Sequence, residues 1–370
     1  MGSKKKAEDL LARAGVQVNG PNSWDIQIHD SRFYDRFFSK GSLALGESYM
    51  DGWWDVENLD MFFDKVLSAR LKVVTPSFIL HMLRARILNL QNVSRAFKVG
   101  EEHYDVGNNL YNKMLDRRLV YTCGYWSGTP RASTLDEAQF AKLDLICKKI
   151  NLKKGDKVLD IGCGWGSFAK FAAEEYGAEV VGITISKEQK AFAEQQVEGL
   201  PVEIRLQDYR DVREKFDHIV SIGMFEHVGY KNYREYMRVV HRCLKEDGLF
   251  LLHTIGSNKT VVTTDPWIEK YIFPGGMLPS IKQIGRSIEG IFVMEDWHNF
   301  GDDYDRTLME WYKNFNVAWP DLKHDYSERF YRMWKYYLLV SAGSFRSRNN
   351  QLWQIVLSKK GVTGGYKTVR

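Results

Sequence analysis

The stretch VLDIGCGWG, residues 158–166, decides the fold, because it joins an apolar run to a turn with three glycines at alternate positions. Glycine has no Cβ, so Gly162, Gly164 and Gly166 let the chain turn sharply while the backbone stays open to a ligand. The dinucleotide-binding pattern GxGxxG needs a glycine at position 167, where this chain has Ser167. The stretch therefore predicts a strand that ends at a ligand-binding turn, and it argues against a nicotinamide-dependent dehydrogenase.

Apolar runs alternate with amphipathic segments from about residue 151 onward. This order requires a parallel sheet with helices on both faces, so the sequence predicts a Rossmann-like α/β fold. The predicted strands are DKVLDIGCG (156–164), AEVVGITIS (178–186), PVEIRLQDYRD (201–211), KFDHIVSIGMFEHVG (215–229) and LFLLHTIGS (249–257), with IFVMEDWHNF (291–300) and QLWQIVLSK (351–359) as further candidates. The predicted helices are residues 167–177, 187–200, 232–248, 304–316 and 326–342.

The chain is predicted to have two domains and a connecting helix. Glycines punctuate short helical segments in residues 1–75, which predicts a small, mainly helical domain. Residues 76–100 are predicted to form a basic amphipathic linking helix, because apolar residues from Ile79 to Phe97 recur every three or four positions. Two interpretations of this helix remain open, namely a helix in a membrane interface and a core helix with a solvated basic rim. Residues 101–370 are predicted to form the larger domain, which contains the glycine turn.

Basic residues are concentrated in two blocks of this 370-residue chain, whose net charge is +5. Residues 65–100 contain seven Lys or Arg and no acid, and residues 326–370 contain nine bases and one acid. The two blocks flank an acidic middle, which indicates an anionic partner. Nucleic acid and the anionic cytoplasmic leaflet of a membrane both fit this charge pattern.

The cysteines and the hydropathy pattern indicate the cellular compartment in which the protein is expected. The four cysteines show no CxxC spacing, so the sequence predicts neither a zinc site nor a disulfide framework, which fits a reducing cytosol. No uncharged apolar run approaches the ~18 residues of a membrane span. The N-terminus lacks the apolar core of a signal peptide, so we expect a cytoplasmic location.

The glycine stretch and the strand FDHIVSIGMFEHV (216–228) resemble those of class I S-adenosylmethionine (SAM)-dependent methyltransferases. The resemblance implies that the glycine turn touches the methionine and ribose part of SAM. Many relatives end the second strand with an acid; here Thr184 and Gln189 would supply the polar contacts instead. Asp208 is implied as the adenine contact, with a loop-capping aspartate as the alternative. The implied SAM contacts are Tyr121, Thr122, Asp160, Gly162, Gly164, Gly166, Thr184, Gln189, Asp208 and Tyr209.

Further motifs narrow the resemblance. They are GSLALGESYMDGWWDVENLDMFF (41–63), EHYDVGN (102–108), YTCGYW (121–126), GMFEHVG (223–229), HTIG (253–256) and WHNFGDDY (297–304). Together they resemble the bacterial cyclopropane-fatty-acid-phospholipid synthases, the family that includes the mycolic acid cyclopropane synthases. The similarity runs from about residue 8 to the C-terminus, and it implies that residues 101–370 are the catalytic domain.

The resemblance implies a reaction and a site. The reaction adds a methylene group from SAM across a cis double bond of a phospholipid acyl chain, through a carbocation that bound bicarbonate deprotonates. Glu226 is expected to orient bicarbonate and finally take up the proton, while the backbone N–H of Ile255 contacts the anion. The implied catalytic residues are Cys123, Glu226, His253, Ile255 and Tyr304, with no metal. Without the resemblance, Cys123, His253 and Tyr304 would each pass for core residues.

The resemblance also implies partners and a location. The expected partner is anionic membrane phospholipid with unsaturated acyl chains, the expected assembly is a homodimer, and no nucleic acid is expected. The protein would associate peripherally with the inner face of the bacterial membrane. Two other functions remain open: a lipid C-methyltransferase that gives a methyl-branched product, and a non-catalytic lipid-binding protein with a SAM-binding fold.

Overall fold

The computed structural model describes residues 2–71 and 107–370, so the predicted basic helix at 76–100 lies outside the described residues. The described residues form two compact units. The first comprises residues 2–71, 262–274 and 304–350, and the second comprises residues 107–261, 275–303 and 351–370. The division into domains at residues 75 and 100 stays a prediction, since both of its boundaries fall outside the described residues.

The second unit is built around a seven-stranded sheet. Its strands are β3 (Lys157–Ile161), β4 (Glu179–Thr184), β5 (Val202–Leu206), β6 (Phe216–Ile222), β7 (Leu244–Ser257), β8 (Val293–Asn299) and β9 (Asn350–Ser358). The strand order is β5-β4-β3-β6-β7-β9-β8. The first five strands pair in parallel, as predicted, whereas β8 pairs antiparallel with β9. The α/β fold class is confirmed.

Six helices belong to this unit within the described residues. They are α5 (Asn108–Met114), α6 (Leu135–Lys149), α7 (Ser167–Tyr176), α8 (Lys187–Gln196), α9 (Tyr233–Cys243) and α11 (Ile281–Ile288). The helix predicted to run to residue 248 ends at Cys243 instead. The reason is that Leu244 is fully buried and pairs with Phe216 of β6, so the chain becomes extended earlier.

Alternate residues of the strands point into two separate cores. Leu159 and Ile161 face one core, which also contains the buried aromatic and aliphatic residues of α9 and α11. Val158 faces the other, which contains the buried residues of α6 and α7. Side chains alternate along a strand, so Asp160 lies on the same face as Val158, toward α6. The helices thus cover both faces of the sheet, as predicted.

The first unit is mainly helical. It contains α1 (Ser3–Ala12), α2 (Arg32–Lys40), α3 (Ser42–Met50), α4 (Leu59–Ser68), α10 (Pro266–Tyr271), α13 (Glu328–Arg346) and most of α12 (Asp302–Leu322), with a short antiparallel pair of β1 (Gln27–Ile28) and β2 (Trp54–Asp55). Helix α13 packs on α3 and α4, and α10 packs on α3. Gly46 makes the second contact possible, because a Cβ there would lie 2.3 Å from the Trp267 ring. Among the described residues, no helix is long and apolar enough to cross a membrane.

Candidate active site

The glycine turn lies between β3 and α7. Gly162 has a φ of +82°, and a Cβ on it would lie 2.6 Å from Cγ of Met224, so a side chain is excluded by backbone conformation and by space. The amide of Gly162 donates to the Ile183 carbonyl at 2.9 Å, which ties the turn to β4. Gly166, with a φ of +84°, precedes α7, and the space around a Cβ on Gly164 is open. The turn therefore offers backbone and free space to a ligand at the ends of parallel strands.

Asp160 precedes this turn and is buried, with 1% of its surface exposed. Its Oδ2 has no hydrogen-bond partner within the described residues. Burial raises the pKa of Asp160 to about 7, and the positive charge of Lys142 opposes the rise. A buried carboxyl oxygen without a partner is rare, so it indicates a missing hydrogen-bond donor. The ammonium group or ribose hydroxyls of SAM are donors that fit this position.

Residues 121–124, named the strap from here on, are held by helix α6. Gln139 donates to the Thr122 carbonyl at 2.8 Å, and Lys142 donates to the Thr122 hydroxyl at 2.9 Å. The same strap contacts the end of β6, since a Cβ on Gly223 would lie 2.6 Å from Cγ2 of Thr122. Tyr121 packs edge-to-face on Tyr111, with ring centroids 5.2 Å apart. The strap thus lies against the sheet end that carries the glycine turn.

Lys142 and Gln139 are not among the residues that the sequence predicts for the site. Both are fully buried, and burial lowers the pKa of Lys142 to about 8, while Asp116, Cys123 and Asp160 raise it. The signal available in the sequence is a Thr-x-x-Glu capping box at Thr134 and Glu137, which fixes where α6 begins. A helix started there places positions 139, 142, 146 and 149 on one face, and Ile146 lies in the core beneath the sheet.

Polar residues at or just after the ends of β4 and β5 already have hydrogen-bond partners. The Thr184 hydroxyl donates to Oε1 of Gln189 at 2.9 Å, and both side chains are buried. Asp208 accepts from the Arg210 amide at 2.9 Å and pairs with the Arg210 guanidinium at 3.0 Å. Asp208 therefore caps its turn in this structure. Its role as the adenine contact, and those of Thr184 and Gln189 toward SAM, stay predictions.

Tyr209 follows Asp208 and is buried against Tyr236, with ring centroids 5.0 Å apart. Burial raises the pKa of Tyr209 to about 12. The Tyr209 ring is therefore fixed in the core just after β5. Its contact with SAM also stays a prediction.

Glu226 and Ile255 are brought together at the ends of β6 and β7. Oε1 of Glu226 accepts a hydrogen bond from the Ile255 amide at 2.6 Å. Oε2 is buried and has no partner in the part of the chain that the structure describes. Burial raises the pKa of Glu226 to about 7, although the Ile255 amide opposes the rise. A carboxyl group whose pKa is raised in this way is suited to proton exchange near neutral pH.

His253 lies two residues before Ile255 on the same strand and is 1% exposed. Its Nδ1 contacts the side-chain amide of Gln354, and its Nε2 has no partner among the described residues. Burial holds the pKa of His253 well below its usual range, and the charges of Lys142 and Lys149 lower it further. The imidazole is therefore neutral, with a buried nitrogen available to a ligand.

The other two predicted catalytic residues differ in placement. Cys123 belongs to the strap and is fully buried, with its thiol donating to the Gly124 carbonyl at 3.1 Å. Tyr304 belongs to the first unit, where it is buried against Phe345 and Trp311 with ring centroids 4.6 and 5.9 Å away. The structure thus joins Glu226 to Ile255 directly. The catalytic roles of these residues stay predictions.

Asp303 fixes the segment that follows the strap, and the sequence does not predict this role. Its Oδ2 accepts from the amides of Trp126 at 2.7 Å and Ser127 at 3.1 Å, and its Oδ1 accepts from the Ser127 hydroxyl at 2.6 Å.

The expected absence of a metal site stays a prediction. Among the described residues, no group of three His, Cys, Asp or Glu side chains is suited to hold a metal ion.

Three comparisons identify the family. The family model described as mycolic acid cyclopropane synthetase matches residues 91–355. A cyclopropane-fatty-acyl-phospholipid synthase of Escherichia coli (strain K12) is 55% identical over 367 residues, which are 98% of this chain and 95% of the relative. A cyclopropane synthase structure from Mycobacterium tuberculosis is 30% identical with a TM-score of 0.67, covering 74% of this chain and 100% of that one.

A structure of a mycolic acid cyclopropane synthase complexed with SAH and CTAB agrees with these findings. It is 31% identical with a TM-score of 0.66 and covers 71% of this chain and 98% of that one. The family match extends across the strap, the glycine turn and the Glu226–Ile255 cluster. The chain therefore belongs to the mycolic acid cyclopropane synthetase family of SAM-dependent methyltransferases.

Proposed function

We propose that this protein transfers a methylene group from SAM to the cis double bond of an unsaturated acyl chain in membrane phospholipid, which forms a cyclopropane fatty acid. The similarity to the synthase of Escherichia coli over nearly the whole chain supports the reaction. The observation that carries the chemistry is the hydrogen bond from the Ile255 amide to buried Glu226, with His253 two residues earlier on the same strand. Oε2 of Glu226 and Nε2 of His253 are buried and have no hydrogen-bond partner among the described residues.

The proposed reaction needs a base beside the transferred carbon. The alkene attacks the methyl carbon of SAM, and the carbon–sulfur electron pair stays on sulfur. A carbocation results. Loss of a proton from the transferred methyl group then leaves an electron pair that closes the ring. Water would trap the carbocation as an alcohol, so the base must act in a dry site.

We propose that bicarbonate accepts this proton and that residues of the second unit hold it. Cys123 supplies a thiol donor, His253 supplies a ring nitrogen, and the Ile255 backbone fixes Glu226. A carboxylate beside an anion would be repelled unless a proton lies between them, so Glu226 is proposed to accept the O–H of bicarbonate through its carboxylate. Glu226 can then take up the proton that the anion collects. The role expected for Tyr304, which belongs to the first unit, stays a prediction.

Residues around the glycine turn are proposed to hold SAM. Asp160 offers an oxygen that has no hydrogen-bond partner among the described residues, and Thr122 lies on the adjacent strap. The backbone at Gly162, Gly164 and Gly166 lets a ligand approach closely. Lys142 donates a hydrogen bond to the strap, and its positive charge acts on Asp160. Lys142 therefore links the strap to the strand end that carries Asp160 and the glycine turn. Helix α6 thereby supports SAM binding and the base from one buried face.

Membrane attachment is proposed to depend on the basic block at 65–100. The second block, 326–370, uses much of its charge internally: Arg332 pairs with Asp55, Arg346 with Asp60, and Arg370 with Asp296. Paired cations attract an anionic surface less than unpaired ones do. We propose that the protein works as a homodimer, cytoplasmic and peripherally bound to the inner face of a bacterial membrane.

The decisive experiment supplies SAM and vesicles of unsaturated phospholipid and measures the fatty acids by mass spectrometry. A gain of one CH₂ in mass with loss of the double bond is expected. The same gain with the double bond retained would instead identify a lipid C-methyltransferase. No gain, with SAM bound, would identify a binding protein without turnover.

A further inference from the structure

Gln354 is a buried glutamine in the middle of an apolar strand. Strand β9 reads NQLWQIVLS, and Trp353, Ile355 and Val356 beside it are all buried in the two cores. Gln354 itself is fully buried. Burying an amide without hydrogen bonds destabilises a protein by roughly 1–3 kcal/mol, so an amide at this position needs a specific partner.

The partner of Gln354 is His253. Nε2 of Gln354 lies 3.3 Å from Nδ1 of His253. Strands β7 and β9 are neighbours in the sheet, and the alternation of side chains places both residues on the face toward α6. The carbonyl oxygen of Gln354 has no partner among the described residues, so this contact is the one described hydrogen bond of the amide.

This contact selects one tautomer of His253. An amide nitrogen only donates, so Nδ1 must accept, and an imidazole nitrogen that accepts carries no proton. The surroundings keep His253 neutral, since it is buried and the charges of Lys142 and Lys149 lie close by. A neutral imidazole with an unprotonated Nδ1 carries its one proton on Nε2.

The selected proton is on the nitrogen that has no partner. Nε2 of His253 is buried and makes no hydrogen bond within the described part of the chain. The ring of Phe300 packs against the imidazole, with centroids 6.0 Å apart. The Gln354 amide and the Phe300 ring therefore hold His253 so that its buried Nε2–H has no acceptor among the described residues.

We propose that Gln354 is a positioning residue, which holds His253 as the Nε2–H tautomer so that this N–H donates to the anion that serves as base. The inference rests on the proposed function for the identity of that anion. Gln354 does not touch the reacting atoms in this account. It acts through His253, and it determines whether the imidazole donates to the anion or competes with it as an acceptor.

The test replaces Gln354 with methionine, an apolar side chain of similar length and volume. The matched control is Gln351→Leu, because Gln351 is a buried glutamine of the same strand that hydrogen-bonds to Asn299. Full-length protein with ¹⁵N-labelled histidine reports each ring tautomer by NMR, and His253→Gln assigns the signal. We expect a protonated Nε2 and an unprotonated Nδ1 in the wild type and in Gln351→Leu, and a loss of this preference in Gln354→Met.

Turnover provides the second readout. In buffer freed of carbon dioxide, Gln354→Met should need roughly tenfold more added bicarbonate for half-maximal turnover, since a hydrogen bond to a charged group is weakened. SAM affinity should stay within about twofold. A wild-type His253 protonated on Nδ1, or an unchanged tautomer in Gln354→Met, overturns the proposal.

The two hypotheses fail separately. If wild-type turnover does not respond to bicarbonate, the proposed base is wrong, while the tautomer spectrum still decides the role of Gln354. If Gln354→Met does not fold, the wild-type spectrum alone is decisive, because the Nδ1–H form contradicts the proposal without any variant.

Discussion

Replacing Glu226 with glutamine tests the energetics of the buried cluster. Glutamine keeps an oxygen that can accept from the Ile255 amide, but it cannot ionise. Burial raises the pKa of Glu226 from 4.5 to about 7. The folded protein therefore binds this proton more tightly than the unfolded chain does, so ionisation of Glu226 destabilises the fold. A shift of this size corresponds to about 3 kcal/mol, at about 1.4 kcal/mol for each pH unit.

The sign of the effect follows from the two pKa values. Below pH 4.5 the carboxyl group is protonated in both states, so it contributes no penalty. The penalty grows as the pH rises above 4.5 and is complete once the pH exceeds about 7. The free energy of unfolding of Glu226→Gln, relative to wild type, should thus increase by about 3 kcal/mol between pH 4.5 and pH 8.

The assay is urea unfolding of both proteins across this pH range, in which groups common to the two proteins cancel in the difference. Glu175→Gln, on the exposed surface of α7, is the matched control and should give a flat difference. At pH 7, Glu226→Gln should bind SAM almost as well as wild type and turn over about 100-fold more slowly, as expected for loss of a proton-transfer group. A difference that does not change with pH, together with normal turnover, would refute both the buried carboxyl and its role.

Three further predictions concern SAM and the membrane. Gly162→Val should abolish SAM binding in calorimetry, because φ at this position is +82° and the Met224 side chain fills the space that a side chain would need. The control Gly285→Ala in α11 should bind SAM normally. Normal binding by Gly162→Val would show that SAM binds elsewhere. Lys142→Met should weaken SAM binding roughly tenfold, since a charged donor to the strap is lost, while Lys148→Met on the exposed side of α6 should have no effect; equal affinities would remove Lys142 from the site. Neutralising the basic residues at 84, 86, 95 and 98 should weaken sedimentation with anionic vesicles most at low salt, and unchanged binding would show that the attachment lies in another part of the chain.

Local sequence patterns were sufficient for the sheet and the glycine turn. The alternation of apolar runs and amphipathic segments is a short-range signal, and it predicts the five parallel strands β3 to β7. The end of α9 was wrong by five residues because Leu244 pairs with Phe216 across the sheet, which no local pattern encodes. The antiparallel β8–β9 and β1–β2 pairs likewise depend on partners distant in sequence.

Buried polar residues of the site were the hardest to predict. Lys142 occurs in a helix with other lysines, where the usual interpretation is a solvated face. Its burial depends on the strap and on Asp160, both of which come from other parts of the chain. Gln354 similarly looks like a chance polar residue in β9 until His253 is brought beside it. The resemblance to known synthases supplied the expected catalytic residues, whose roles stay predictions, but it did not supply the residues that contact them.

The first unit has a consequence for synthesis on the ribosome. Helices α3 and α4 pack on α13, which is translated only after six of the seven strands of the central sheet. Trp54, Phe62 and Phe63 are buried in the finished protein, yet the helix that completes their core is the last to be made. The aromatic residues of the nascent N-terminal helices therefore stay exposed until most of the polypeptide has emerged. During this period the exposed apolar surface that chaperones can bind is largest.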